Sequence, residues 1–259
     1  MKIGVFDSGL GGLVITKAFI EKLPEYDYFY YGDSAHLPYG DKTSGQILSY
    51  SLAAMRYMIE QNCKIIIIAC NTATAISLRY IQQRFIPQYA PDVKVLGVVI
   101  PTVEVALQNN VKKVGIVATS ATIRSHIYQQ ELKKIKTDVD IIEVASPELV
   151  PSIENNKFDL AEEFVREYSQ SFKTVDSLIL GCTHYPLIKE FFRKYLPDVH
   201  IVSQDELMAE KLQNYLYRHP EIASCLSKNG LREFKVSSLN KHSQKVATNL
   251  FTDIAITKA

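Results

Sequence analysis

No charge of either sign dominates this chain. Lys and Arg total 29 against 28 for Asp and Glu, so there is no basic field of the kind that gathers nucleic acid. No apolar run approaches the roughly 20 residues of a membrane span, and no charged-then-apolar leader opens the sequence. A soluble cytoplasmic protein with neither nucleic-acid nor membrane partners is expected. Cysteine is scarce: four in 259 residues do not make a disulfide framework. Cys63, Cys70, Cys182 and Cys225 include no C-x-x-C pair, which argues against a structural zinc site. A G-x-G-x-x-G fingerprint and a Walker lysine-serine are both missing, as are low-complexity segments and long linkers. A chain of this length suits one or two domains and can bury a substantial core.

What the chain does have is two apolar runs that each stop at a cysteine. The first reads Ile65-Ile66-Ile67-Ile68-Ala69-Cys70-Asn71-Thr72 and the second Leu178-Ile179-Leu180-Gly181-Cys182-Thr183-His184. A buried strand that ends in a reactive side chain and small polar residues delivers that side chain to a site. The string Lys2-Ile3-Gly4-Val5-Phe6-Asp7-Ser8 also resembles Lys113-Val114-Gly115-Ile116-Val117-Ala118-Thr119. Both signals recur about 110 residues further on, which argues for two related α/β units.

Strand and helix patterns alternate from end to end. Strands are expected over Lys2–Phe6, Asp27–Tyr31, Lys64–Ala69, Val93–Val98, Lys113–Ala118, Asp140–Val144, Ser177–Leu180 and His200–Val202. Helices are expected near Leu13–Lys22, Thr43–Gln61, Thr72–Arg84, Val103–Asn109, Ile123–Lys136, Phe158–Ser171, Leu187–Lys194 and Glu206–Tyr217. Such alternation implies α/β architecture: two similar three-layer domains with mainly parallel sheets, related by pseudo-two-fold symmetry, with the site at their interface. Ligands in these sheets bind beyond the carboxyl ends of the strands, where Asp7, Cys70, Thr119 and Cys182 fall. Crossings near Gly97–Pro101 and Ser203–Glu206 divide the chain into residues 1–98 plus 206–259 and residues 99–205. The tail from Met208 reads as helical, without a core of its own, packing back onto the first unit.

The candidate site residues each allow a plainer reading. Asp7 opens the glycine-rich Ser8-Gly9-Leu10-Gly11-Gly12 loop; it is either a helix cap or a carboxylate aimed into a cleft. Tyr39 and Gly40 lie in a long polar loop whose composition favours an ordinary solvated connection. Cys70 and Cys182 could be small buried hydrophobes, but both precede an expected helix start, where unpaired amides stabilise a thiolate. Cys63 and Cys225 lack that setting. Asn71, Thr72, Thr119, Ser120, Thr122 and Thr183 suit helix capping, and equally suit binding carboxylates without arginine. His184 could be a core or surface histidine, or a proton partner. Glu154 reads as a surface acid.

Taken together, the strings Asp7-Ser-Gly-Leu-Gly-Gly12, Tyr31-Gly-Asp-Ser-Ala35, Pro38-Tyr-Gly40, Ala69-Cys-Asn-Thr-Ala73, Ala118-Thr-Ser-Ala-Thr122 and Gly181-Cys-Thr-His-Tyr-Pro186 resemble the glutamate racemases. These are cofactor-independent bacterial enzymes that supply D-glutamate for peptidoglycan. The resemblance implies that Cys70 and Cys182 are acid/base thiols, with Cys182 acting on L-glutamate and Cys70 on D-glutamate. It implies that Asp7 and His184 assist them, with Glu154 as a further acidic assistant. It assigns substrate contacts to Asp7, Ser8, Tyr39, Gly40, Asn71, Thr72, Thr119, Thr122, Thr183 and His184, and implies a homodimer that needs neither cofactor nor metal. His184 bears on the substrate, since related aspartate racemases usually carry glutamate after the Cys-Thr pair. The match departs at Ser152, where leucine is usual, at Gln204, where glycine is usual, and at Ser237-Ser238-Leu239, which replaces a common Ser-Gly-Asp. Aspartate or hydantoin racemisation on the same scaffold is the nearest alternative, and a non-catalytic regulatory protein a more distant one. A pyridoxal-phosphate racemase would need a Schiff-base lysine and a phosphate cradle; neither is found.

Overall fold

The computed structural model describes residues 1–239 and 255–259. Among these residues ten strands form two sheets: β1 Lys2–Asp7, β2 Tyr28–Gly32, β3 Cys63–Ile68, β4 Lys94–Gly97, β5 Lys113–Ala118, β6 Asp140–Ala145, β7 Ser177–Gly181, β8 His200–Val202, β9 Arg232–Val236 and β10 Ile256–Lys258. The first sheet runs β10-β9-β2-β1-β3-β4 and the second β6-β5-β7-β8. Every pairing is parallel. Two parallel-sheet α/β domains are therefore present, as the alternating pattern requires.

The strands build this way because both faces are covered. Along β3, Ile65, Ile67 and Ala69 join a central cluster that includes Ile3, Val5, Val114, Ile116 and Ile179. The alternate set, Ile66, Ile68 and Cys70, faces an outer cluster with Phe6, Met55 and Met58. In β7, Leu178 and Leu180 share parity with Cys182 in the corresponding outer cluster of the second sheet. A period of two thus carries each cysteine onto the same kind of face, Cys70 two residues beyond its strand and Cys182 one. The central cluster also takes in Val99 and Val103 from the helix Val99–Ala106 and Leu207, Met208 and Leu212 from the helix Gln204–Arg218. These two helices, at the two chain crossings, weld the sheets together.

The structure departs from the sequence pattern in several places. The helix expected over Val103–Asn109 begins at Val99, because Pro101 sits in its first turn, where a missing N–H leaves no bond unmade. The helix expected over Ile123–Lys136 breaks at His126, whose φ of 53° is left-handed. The helix after Cys70 ends at Tyr80 and continues through a wider turn, Ile81–Phe85. A short unforeseen helix, Leu149–Glu154, carries Glu154. The reading of the tail as helical needs correction beyond the helices Gln204–Arg218 and Pro220–Ala223. β9 pairs with β2 from Tyr28↔Arg232 to Gly32↔Val236, and β10 with β9, so the tail extends the first sheet. The rest of the tail expectation falls on residues 240–254, outside the described residues.

Candidate active site

The carboxyl ends of β1, β3, β5 and β7 converge on one cavity. It is lined by Ser8, Tyr39, Gly40, Cys70, Asn71, Thr72, Thr119, Cys182, Thr183 and His184, together with Leu37, Pro38, Asp41, Ser120, Ser146, Pro147, Val150 and Pro151. Ten of the expected residues therefore share one wall-to-wall space. Asp7, Thr122 and Glu154 stand behind it, each bonded to a residue that lines it. Among the described residues, no helix is long and apolar enough to cross a membrane.

Cys70 caps the helix Asn71–Tyr80: the Ala73 amide donates to its sulfur at 3.4 Å. Its thiol donates to Ser8 Oγ at 3.3 Å. Burial, then the charge of Asp7, pushes this thiol up to about 12, and the other thiol, Cys182, adds to the push. Cys182 is placed differently. No α-helix starts beside it: the chain makes a tight turn over Tyr185–Ile188, with the Tyr185 amide bonded back to the Cys182 carbonyl. The expectation that both cysteines precede a helix start whose amides stabilise a thiolate is thus corrected for Cys182. Pro186 cannot donate to an earlier group, and the α-helix itself is delayed until Lys189. In place of helix amides, Cys182 Sγ meets His184 Nδ1 at 3.7 Å.

The two thiols consequently have unlike partners. His184 Nε2 lies 2.7 Å from Glu154 Oε1. Burial pulls the His184 imidazole down, but the contacts with Cys182 and Glu154 outweigh it and hold the group well above its ordinary value. Asp7 is fully buried; its carboxylate accepts from the Gly9 amide at 3.0 Å and from Thr183 Oγ1 at 3.1 Å. Burial raises its pKa, opposed first by the nearby His184 charge. The helix Gly12–Lys22 has Gly11 as its cap residue, with no side-chain cap. Asp7 is therefore not its N-cap but a buried carboxylate between the thiols' two halves. Gly11 explains part of that approach: a Cβ there would stand 2.6 Å from Thr183 Oγ1 and 2.9 Å from His184 Nδ1.

The hydroxyls of Thr72, Thr119 and Thr122 form a triangle with sides of 2.9, 3.1 and 3.0 Å, joining the end of β3 to that of β5. Thr119 also caps the helix Ser120–Ser125. The Tyr39 loop is not the open connection its composition suggests. Tyr39 is buried with its hydroxyl donating to Asp33 Oδ2 at 2.7 Å, and Gly40 packs against Thr119. Asn71 pairs with Gln204, a contact sequence reasoning missed, as it missed Ser146. No lysine or arginine is among the lining residues.

A family model described as Asp/Glu/Hydantoin racemase matches residues 14–210. The chain belongs to this family. Glutamate racemase of Ruegeria pomeroyi is 39% identical over 238 residues, covering 86% of this chain and 87% of that protein. That of Aquifex pyrophilus is 37% identical over 220 residues, covering 83% and 84%. Among solved structures, Francisella tularensis glutamate racemase in complex with D-glutamate superposes with a TM-score of 0.87 at 32% identity, covering 99% of this chain and 95% of that one. Picrophilus torridus aspartate racemase reaches a TM-score of 0.59 at 20% identity, covering 83% and 94%, a likeness of fold alone. As a member of the Asp/Glu/hydantoin racemase family, the chain is a cofactor-independent racemase, and the cavity between its sheets is the place to seek the chemistry.

Proposed function

We propose that this racemase interconverts L- and D-glutamate by a two-thiol mechanism, with the D-glutamate serving peptidoglycan synthesis. One observation carries the reading: two buried thiols, delivered by β3 and β7 of different sheets, line one cavity with different proton partners. The curated relatives named glutamate racemase, and His184 in place of the glutamate usual in aspartate racemases, support glutamate as substrate.

We assign the resting form as a Cys182 thiolate beside a His184 imidazolium, since contacts hold that imidazole well above its ordinary value, while burial and the Asp7 charge keep the proton on Cys70. In this resting form the Cys182 thiolate removes the α-proton of L-glutamate. Cys70 then gives its own proton to the opposite face of the carbanion, leaving D-glutamate, a Cys182 thiol and a Cys70 thiolate. The return reaction runs the same steps backwards. His184, 3.7 Å from Cys182 Sγ, is assigned as the proton partner of that thiol, and Asp7, whose charge acts on Cys70, as the assistant of the other. The α-proton is far less acidic than a thiol, so most of the barrier must fall through stabilisation of the carbanion. The amides at the start of the helix Asn71–Tyr80 and the threonine hydroxyls are the donors available for that, and for binding the carboxylates. Ser8, which lines the cavity with the buried Asp7 carboxylate behind it, suits the substrate ammonium.

The test is a chiral assay with L-glutamate on the purified chain, repeated with Cys70→Ala, with Cys182→Ala and in EDTA. Racemisation by the native chain, undiminished by EDTA, and none by either variant is expected. Full turnover in both directions by either variant would refute the two-thiol mechanism. Turnover of L-aspartate but not L-glutamate would refute the substrate.

A further inference from the structure

Behind Cys70 lies a closed polar network that the mechanism above does not use. Asn71 Nδ2 donates to Gln204 Oε1 at 2.9 Å, and Gln204 Nε2 donates to Asn71 Oδ1 at 2.7 Å, so the two side-chain amides form a reciprocal ring. Tyr128 donates its hydroxyl to the same Asn71 Oδ1 at 2.5 Å. Gln204 Nε2 also lies 3.3 Å from both Thr102 Oγ1 and the Tyr128 hydroxyl. All four residues are at most 2% exposed. They come from four parts of the fold: the helix that Cys70 caps, the helix Ile127–Ile135 of the second domain, and the helices at the two crossings.

The inventory of donors and acceptors gives the network a consequence. Asn71 Oδ1 has two lone pairs, and Gln204 and Tyr128 occupy both. One of the two Nδ2 hydrogens goes to Gln204. The only hydrogen-bonding capacity the Asn71 side chain keeps is its second N–H, and Asn71 lines the cavity beside Cys70. A flipped Asn71 amide would set its N–H against that of Gln204 unless Gln204 flipped too, and Thr102, whose hydroxyl proton goes to the Val98 carbonyl at 2.6 Å, accepts from Gln204 Nε2 and opposes that second flip. We propose that Gln204 is a positioning residue: it holds Asn71 in the single orientation that offers the cavity a donor, suited to a substrate carboxylate, and withholds an acceptor. Where the family resemblance expects glycine, no side chain could do this. The inference rests on the racemase reading proposed above.

The test compares the full chain with Gln204→Met, which keeps length and apolar stem but neither donates nor accepts, with Asn71→Ala and with the double variant. Racemisation by the unaltered chain in the same assay checks the underlying reading separately. Gln204→Met is expected to raise KM for glutamate about tenfold, with kcat changed less than threefold. In the Asn71→Ala background the same substitution should change KM by less than twofold, since its route of action is gone. Tyr128→Phe, which frees one lone pair of Oδ1 without opening a cavity, provides the second measurement should Gln204→Met fail to fold, and should also raise KM. An unchanged KM in Gln204→Met, or in Tyr128→Phe where that is the variant measured, overturns the proposal. So does an equal rise with and without Asn71.

Discussion

Cys70 holds its proton tightly, and that grip can be measured with the other thiol removed. In Cys182→Ala, Cys70 remains able to take the α-proton of D-glutamate and return one to the same face, so solvent deuterium can enter without inversion. Burial and the Asp7 charge push the Cys70 thiol up to about 12, and the contribution of Cys182 is the smallest of its causes, so the variant should retain this value. At pH 8 only about one site in 10⁴ then carries the thiolate, equivalent to a free-energy gap of about 5 kcal/mol at 1.36 kcal/mol per pH unit. Deuterium exchange at the α-carbon of D-glutamate, followed by proton NMR in D2O, is therefore expected to be slow and to rise about tenfold per unit from pH 7 to 9. L-Glutamate should exchange far more slowly in the same variant. Exchange of D-glutamate that is independent of pH across this range would refute the claim that Cys70 rests as a thiol. Inversion accompanying the exchange would refute the assignment of one thiol to each face.

Other expectations follow from the neighbours of the thiols. The His184 imidazole is held well above its ordinary value, so the stability it contributes is full below about pH 6.5 and is lost as pH rises through the folded value. Glu154→Gln should lower thermal stability by roughly 1–2 kcal/mol at pH 6, less than a fully buried pair because Glu154 is partly exposed, and by less at higher pH; a loss that grows with pH would contradict this. Asp7 has its pKa raised by burial, so its carboxyl favours folding below about pH 3.9 and that support is lost as pH rises. Asp7→Asn should accordingly raise the melting temperature at pH 7 relative to the native chain, with the gain shrinking towards pH 4, while racemisation falls by about 10²-fold; a lower melting temperature at pH 7 would sink the argument. Gly11→Ala places a Cβ 2.8 Å from the Thr183 backbone and should cost roughly 1–3 kcal/mol by overpacking, with a larger loss of activity than of melting temperature in side-by-side assays. Asp27 is lowered to about 2: burial raises it, but bonds from Ser227, Leu231 and Asn229 prevail. The support this gives the tail is present above about pH 3.9 and lost as pH falls towards 2; limited proteolysis should cut Asp27→Asn within residues 226–231 faster than the native chain at pH 7.

What could be read from the sequence follows from how far each signal reaches along the chain. The eight strands that alternate with helices announce themselves through runs such as Ile65–Ile68, buried on both faces, and the cysteines stand where those runs stop. β9 does not, because Arg232, Glu233 and Lys235 leave it only Phe234 and Val236 as fully buried apolar positions, and β10 has three residues. The break at His126 depends on one left-handed residue, a conformation histidine adopts more readily than most but not often enough to predict. Tyr39 reads as loop because what buries it, the Tyr50 ring and the bond of its hydroxyl to Asp33, is not written in the loop's own composition. The Asn71–Gln204 ring joins residues 133 apart, and amide pairing at that separation leaves no periodic trace. Cys182 misled for a subtler reason. Its flanks copy those of Cys70 up to Thr183, and only Tyr185-Pro186 tells that the helix will start late.

That late helix is what makes the two halves of the site unequal, and thermodynamics limits how the inequality can appear. The enantiomers of glutamate have equal free energies in water, so the equilibrium constant is unity and kcat/KM must be the same in both directions, whatever surrounds each thiol. A helix amide and Ser8 beside Cys70, and His184 with Glu154 beside Cys182, can therefore never favour one direction in kcat/KM. They can only distribute the difference between kcat and KM. If the resting form is the Cys182 thiolate, free enzyme is already poised for L-glutamate, whereas D-glutamate must meet the scarcer form bearing a Cys70 thiolate. D-Glutamate therefore gains its equal kcat/KM from the stronger base, since a thiolate whose conjugate acid sits near 12 abstracts a proton more readily in proportion to its rarity. Altering Glu154, which bears on only one thiol, should then lower both values of kcat/KM by one factor while shifting kcat for the two enantiomers by different factors. Equal shifts in both kcat values would mean that the two sides of the cavity share a single proton reservoir and that their different neighbours have no kinetic consequence.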